Sequence, residues 1–306
     1  MSQMSQVRME EIADGGRQPR EVVYKTVGDR RLRLFVFDPP GGKDGRRRPA
    51  LLWIHGGGWG GGSPQQFFPH CRYFALRGAV AMSLEYRLKG PGSDNTIFDC
   101  LADSRSAVRY IRGHAEELGI DGGRIVALGG SAGGHLSACL AMTRGFDEPG
   151  EDTSVSAAAD AMVLYNPVID MTGKWQAAVQ PPRNDRSSTA PATQPADVGA
   201  LAMRVSPTHN IRKGQPPCLL VHGEKDQVVD VAQARLFAKA YAAAGNRCDY
   251  IELEGVKHGF VYLRPESVIQ VHRSLVAADQ FLVSLGYLDG KATLAEPTGG
   301  DRGAGQ

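Results

Sequence analysis

The segment RIVALGGSAGGHLSACLA (124–141) constrains the fold more than any other part of the chain. An apolar run of strand character enters Gly129-Gly130-Ser131-Ala132-Gly133 and leaves as a helix of small residues. A strand that reverses into a helix within one serine needs small residues two before and two after it. Larger side chains there would strike the strand and helix being joined. Such a turn lifts the serine hydroxyl above the end of a sheet, over a helix N-terminus that favours developing negative charge. A serine in a Gly-rich stretch is by itself an ordinary turn residue, and the flanking strand and helix are what give Ser131 chemical meaning.

The rest of the chain repeats this alternation. Apolar β-rich runs occur at 21–27, 31–37, 50–55, 79–86, 124–130, 161–167, 217–223 and 248–255. Between them Ile97, Leu101, Val108 and Ile111 recur at helical spacing, and further helices are expected over 132–143, 230–244 and 266–284. The expectation is an α/β fold: a mostly parallel eight-stranded sheet flanked by helices. Its first two strands form an antiparallel hairpin that turns at Gly28-Asp29. One domain spans 21–288, after a flexible N-terminal segment (1–20) and before a disordered C-terminal tail (289–306). Residues 171–205, rich in Pro, Ser, Thr and Ala, break the rhythm and are expected to be a small lid insertion.

Composition excludes several classes. With 42% hydrophobic residues and a net charge of +2, the 306 residues can bury a large core but carry no electrostatic signature for nucleic acid or membrane. No apolar run is long enough to span a bilayer, and the first twenty residues lack the apolar stretch of a signal peptide. Cytoplasmic location is the default expectation, with secretion if a leader has been removed. Cys71, Cys100, Cys139, Cys218 and Cys248 are scattered, without metal-site spacing, so buried thiols are expected and no metal or cofactor.

A nucleophilic serine needs a base, and the base needs an acid to orient it. On an elbow of this type the order along the chain is serine, acid, histidine. Asp226 lies just past the strand PCLLVHG, beside Val228 and Val229, with Glu224 as competitor and Asp230 free to cap the next helix. His258, in VKHGF after the last strand, is the base expected to reach back to Ser131. His135 lies on the elbow helix, His209 and His222 precede the acid, and His70 and His114 suit surface helical positions. Acyl transfer also needs donors aimed at the oxyanion: the N–H of Ala132, and those of Gly57 and Gly58 in HGGG after an early strand. His55 is expected to stabilise that loop rather than titrate. Trp59 is expected to edge the acyl pocket, Trp175 to cover it from the lid, and Trp53 to be core. Glu85-Tyr86-Arg87 with Asp99 or Asp103 suggests a buried ion pair beside the elbow.

A different class competes for the glycine-rich loop. Gly56, Gly58 and Gly61 fit the G-x-G-x-x-G of dinucleotide-binding proteins, Ser63 to Gln66 resembles a capping box, and Glu85 ends the next strand. That reading leaves Ser131, Asp226 and His258 unexplained.

Taken together, HGGGW, GGSAGGH, GEKD and KHGF resemble the α/β-hydrolase fold. More narrowly they are similar to the esterase/lipase group with an HGGG oxyanion loop, related to hormone-sensitive lipase, over roughly residues 20–286. HGGGW with GGSAGGH looks closest to bacterial acetyl esterases and feruloyl-esterase-like carbohydrate esterases. The resemblance implies a serine carboxylesterase in which Ser131 is nucleophile, Asp226 orienting acid and His258 base. Tyr86-Arg87-Leu88 continues as Lys89-Gly90-Pro91 rather than Ala-Pro-Glu, and little chain precedes strand one to form a helical cap. Both departures favour short acyl groups over long ones. The implied partner is a small-molecule or carbohydrate ester. Kynurenine formamidase shares an HGG-x-W loop and serine peptidases share the elbow, so both remain alternatives.

Overall fold

The computed structural model describes residues 6–13, 17–42, 44–90, 93–179 and 197–297. Eight strands form one sheet: β1 (Arg20–Val27), β2 (Arg30–Phe37), β3 (Arg48–Ile54), β4 (Val80–Leu84), β5 (Ile120–Gly130), β6 (Ala161–Tyr165), β7 (Cys218–Gly223) and β8 (Cys248–Leu253). Their order is β1-β2-β4-β3-β5-β6-β7-β8. β1 and β2 are antiparallel, β2 meets β4 antiparallel, and every other pairing is parallel. The hairpin turns at Gly28, whose φ of 56° suits a residue without Cβ.

Alternation along the strands divides the interior into two layers. In β3, Ala50, Leu52 and Ile54 face one cluster while Leu51 and Trp53 face the other. The first layer is closed by α3 (Ile97–Gly113), α5 (Ala132–Met142) and α7 (Val231–Ala243), and the second by α2 (Phe68–Leu76) and α8 (Val268–Ser284). Short helices α1 (Met9–Ala13), α4 (Ala115–Leu118) and α6 (Val198–Arg204) complete the set. Trp53 is core, as expected, and stacks on Tyr165. Thr96 caps α3 in a capping box with Asp99, and Asp230 caps α7 through the Ala232 N–H.

Both chain ends differ from expectation over their described residues. Val7 donates to the Thr293 carbonyl and accepts from the Ala295 N–H, both at 2.7 Å. Met9, Ile12, Leu288 and Leu294 are buried in the second layer. Burial of these few apolar side chains orders segments whose average composition suggested loose ends. Of the insertion expected over 171–205, residues 180–196 lie outside the described residues. The remainder forms a 3₁₀ turn (Gly173–Ala178) and α6, capped by Asp197.

Buried ion pairs tie elements together within each layer. Arg87 reaches Asp103 at 2.8 Å and Asp99 at 3.1 Å. Glu85, expected in the same cluster, instead pairs with Arg33 of β2 at 3.0 Å. Behind the sheet, Arg77 and the Tyr73 hydroxyl both hold Asp279 of α8, at 2.5 and 2.7 Å, with Asp279 fully buried. Removing one partner leaves an uncompensated buried charge. Asp279→Ala is therefore expected to lower stability by about 3 kcal/mol or more, read as the shift in a urea unfolding midpoint.

Candidate active site

The topology puts two loops side by side. β3 and β5 are neighbours, with Ile54 level with Gly129, so the HGGG loop leaves the sheet beside the elbow. This is the carboxyl end of a parallel sheet where the strand order reverses, the usual position of a ligand crevice. At the elbow Ser131 takes φ 55° and ψ −120°, an unusual conformation for a residue with a side chain. Its N–H is fixed by the Tyr165 carbonyl at 2.9 Å. The small residues predicted around it have specific neighbours. A Cβ on Gly129 would meet the Gly133 backbone at 2.5 Å, and one on Gly133 would overlap the carbonyl oxygens of Ile54 and His55.

The three residues nominated for catalysis meet. The Ser131 hydroxyl lies 3.0 Å from His258 Nε2, and His258 Nδ1 lies 2.6 Å from Asp226 Oδ2. Asp226 Oδ1 accepts from the N–H groups of Val228 and Val229, at 2.8 and 2.9 Å. Burial opposes ionisation of Asp226, but bonds from His222, His258 and Val229 outweigh it and hold the carboxyl well below the usual carboxylate range. A charged Asp226 places the His258 proton on Nδ1 and leaves Nε2 to accept from Ser131. Glu224 points elsewhere, accepting from the Gly255 N–H.

Gly57, Gly58 and Ala132 line one cavity of about 300 Å³ with Ser131 and His258. Ala132 is the first residue of α5, so its N–H is one of the donors a helix leaves unpaired. Gly57 and Gly58 have φ of 120° and 60°, and the Gly57 carbonyl accepts from Gly60 and Gly61, curling the loop. Ser63 makes no side-chain cap, so the capping box of the dinucleotide reading does not form. Trp59 and Trp175 line the same cavity and meet edge to face. Trp59 also holds a positive φ of 62°. Its Nε1–H donates to His135 Nδ1 at 3.2 Å, and His135 Nε2 donates to the Val205 carbonyl at 2.8 Å. The loop, the nucleophile helix and the end of α6 are thereby joined through one buried imidazole.

The BD-FAE family matches residues 36–241, two thirds of the chain and all of the elbow and HGGG loop. The chain belongs to the BD-FAE family, among the α/β-hydrolase serine esterases. A solved structure of Thermogutta terrifontis esterase 2 is 40% identical, covers 90% of this chain and 97% of its own, and superposes with a TM-score of 0.78. Further structures of that esterase hold propionate or butyrate. The probable carboxylic ester hydrolase LipM of Mycobacterium tuberculosis is 30% identical over 78% of this chain and 54% of its own length. Endo-1,4-beta-xylanase B of Butyrivibrio fibrisolvens is 30% identical over 64% of this chain and 30% of its own. The chain spans about half the length of the curated relatives it matches first.

Several residues around the cavity escaped sequence reasoning. His222 Nε2 lies 3.3 Å from Asp226 Oδ2 and 3.0 Å from the Val229 carbonyl, which only accepts, so Nε2 carries the proton. A histidine ending the wholly apolar run CLLV was the available signal. Asn166, at φ 36° after β6, places its Nδ2 3.4 Å from His258 Nε2. Tyr262, Gln66 and Arg264 also line the cavity, and only tertiary folding brings them there.

His55 does support the loop: its Nδ1 lies 2.9 Å from the Gly56 carbonyl, Tyr86 stacks on its ring, and burial lowers its pKa to about 4. His114 is exposed as expected. His70 is not, because it fills the second layer between Trp53 and Phe67. Burial pushes its pKa down to about 3. The unfolded chain, titrating near 6.5, then takes up a proton that the native protein does not. His70 thus leaves stability intact above that pH and costs stability as pH falls from there towards 3. Between pH 8 and 5 the loss is about 2 kcal/mol. His70→Phe is expected to shrink the pH 8-to-5 loss by that amount in urea titrations, and an unchanged loss would refute the assignment.

Proposed function

We propose that the protein is a serine carboxylesterase acting on short-chain, acetyl-like esters, with carbohydrate esters among its substrates. The observation that carries this reading is the unbroken chain from Asp226 through His258 to Ser131, at 2.6 and 3.0 Å, opening into one cavity. In the proposed reaction His258 Nε2 takes the Ser131 proton as Oγ attacks the ester carbonyl. The N–H groups of Gly57, Gly58 and Ala132 receive the oxyanion. His258 returns the proton to the departing alcohol, then activates water to release the acid from the acyl-enzyme.

Two observations support the finer specificity. The cavity of about 300 Å³, walled by Trp59 and Trp175, suits a short acyl chain. The esterase 2 structures with propionate and butyrate carry acids of that size. Similarity to a xylanase supports a carbohydrate alcohol.

A fluorophosphonate is expected to add to Ser131 in wild type and to leave Ser131→Ala unlabelled; an unmodified wild-type mass would defeat the reading. Rates on p-nitrophenyl acetate, butyrate and decanoate should fall with acyl length. Assays on acetylated xylan and N-formylkynurenine separate an ester from an amide substrate.

A further inference from the structure

The charge that lines the catalytic cavity is of one sign. Among the described residues no aspartate or glutamate lines it. Asp226 is shielded behind His258, its side chain fully buried. Three cations lie in its lining or against the tryptophans that line it. The Lys89 ammonium lies 5.5 Å over the Trp59 ring, and that of Lys174 lies 5.4 Å over the Trp175 ring. Burial pulls the Lys89 pKa down, as for a cation without a carboxylate beside it. Arg264 is the third, and its side chain lines the cavity directly. The lysines are engaged by the two rings, and Lys174 also by the Val228 carbonyl at 3.0 Å. The Arg264 guanidinium has no hydrogen-bond or ion-pair partner among the described residues.

Arg264 occupies a particular side of the reaction. The leaving oxygen must sit next to His258 Nε2 to receive its proton, so the alcohol departs on the His258 side. Tyr262 and Arg264 follow His258 in the same loop. Together with Gln66, they form the seam between the catalytic cavity and a second cavity of about 530 Å³, whose lining also includes Glu10, so the seam with Arg264 and not the whole second cavity is the place for an anion. At this seam Gln66 Oε1 is buried without a partner.

We propose that the second cavity receives the alcohol portion of the substrate and that this alcohol carries a carboxylate, bound by Arg264 at the seam. The inference rests on the esterase reading and deepens it. Arg264 supplies the directed contact, since a guanidinium matches a carboxylate with two parallel donors. Lys89 and Lys174 supply the field that draws an anionic ester to the mouth, an effect that salt screens.

The test compares two acetyl esters that differ only in charge, O-acetylglycolate and O-acetylglycolamide. Wild type is expected to prefer the anion by about tenfold in kcat/KM at low salt, the size of one partly exposed charge-assisted contact. The preference should shrink as salt is raised. Arg264→Gln should bring the ratio near one and Arg264→Lys should keep part of it, with fluorophosphonate labelling of Ser131 reporting that the site is still assembled. Methyl hydrogen succinate, with its carboxylate in the acyl part, should show no such dependence on Arg264. Equal rates on the two acetyl esters, turnover of neither, or a ratio indifferent to Arg264→Gln would each overturn the proposal. p-Nitrophenyl butyrate keeps the two readings apart: its turnover tests the esterase activity alone, whatever the charged pair does.

Discussion

Ser131→Ala and His258→Ala are each expected to lower kcat on p-nitrophenyl butyrate by at least ~10³-fold, and the double variant to be no worse than the poorer single one. The two act as one unit, because Oγ is a weak nucleophile until Nε2, 3.0 Å away, takes its proton. Neither change should unfold the chain. Ser131 keeps its backbone position through its own N–H, held by the Tyr165 carbonyl, and alanine removes one hydroxyl. Urea midpoints close to wild type alongside lost turnover would identify a chemical defect. Undiminished turnover by Ser131→Ala would remove the nucleophile from the mechanism altogether.

Gly133→Ala should be nearly as damaging by a different route. Its Cβ would overlap the Ile54 carbonyl oxygen and stand 2.6 Å from that of His55. Both are backbone atoms, one closing the central strand β3 and the other opening the HGGG loop, so neither can turn aside as a side chain would. The α5 N-terminus must move away, taking Ser131 and the Ala132 N–H with it. A destabilisation on the order of 3 kcal/mol is expected from the overpacking. Any folded fraction should lose roughly 10²-fold in activity from displacement of the reacting groups. Gly61→Ala is the matched control: its Cβ would meet only the Gly57 carbonyl, at 3.5 Å. Urea titration with fluorophosphonate labelling measures both effects, and a wild-type result for Gly133→Ala would mean the elbow is looser than these contacts allow.

The strands were legible because each is a short apolar run bounded by turn residues. Their ends shifted by a few residues, as at Asn166 and Pro167, which lie past the end of β6. Ser131, Asp226 and His258 were legible because chain order and position at strand ends restrict the choice at each step. His70 was misread, since helical periodicity places a residue on a face without saying what packs there. The described parts of the chain ends pack for a similar reason: average composition hides a few well-placed apolar residues. Asn166 and Arg264 left only weak signals, Asn166 meeting His258 across 92 residues of chain and Arg264 lining a cavity assembled from distant segments.

By itself the sequence determined the alternation of strands and helices, the elbow and the three residues proposed to react. Each of these is a local property, set by side-chain size, backbone freedom and order along the chain. Tertiary structure decided how Asn166 reaches His258, how Trp59 is tied through His135 to α6, and which charge lines the cavity. Those depend on distances between segments tens of residues apart. Strand order fixes such distances, and strand order follows from how two apolar faces are buried at once rather than from any one stretch of chain.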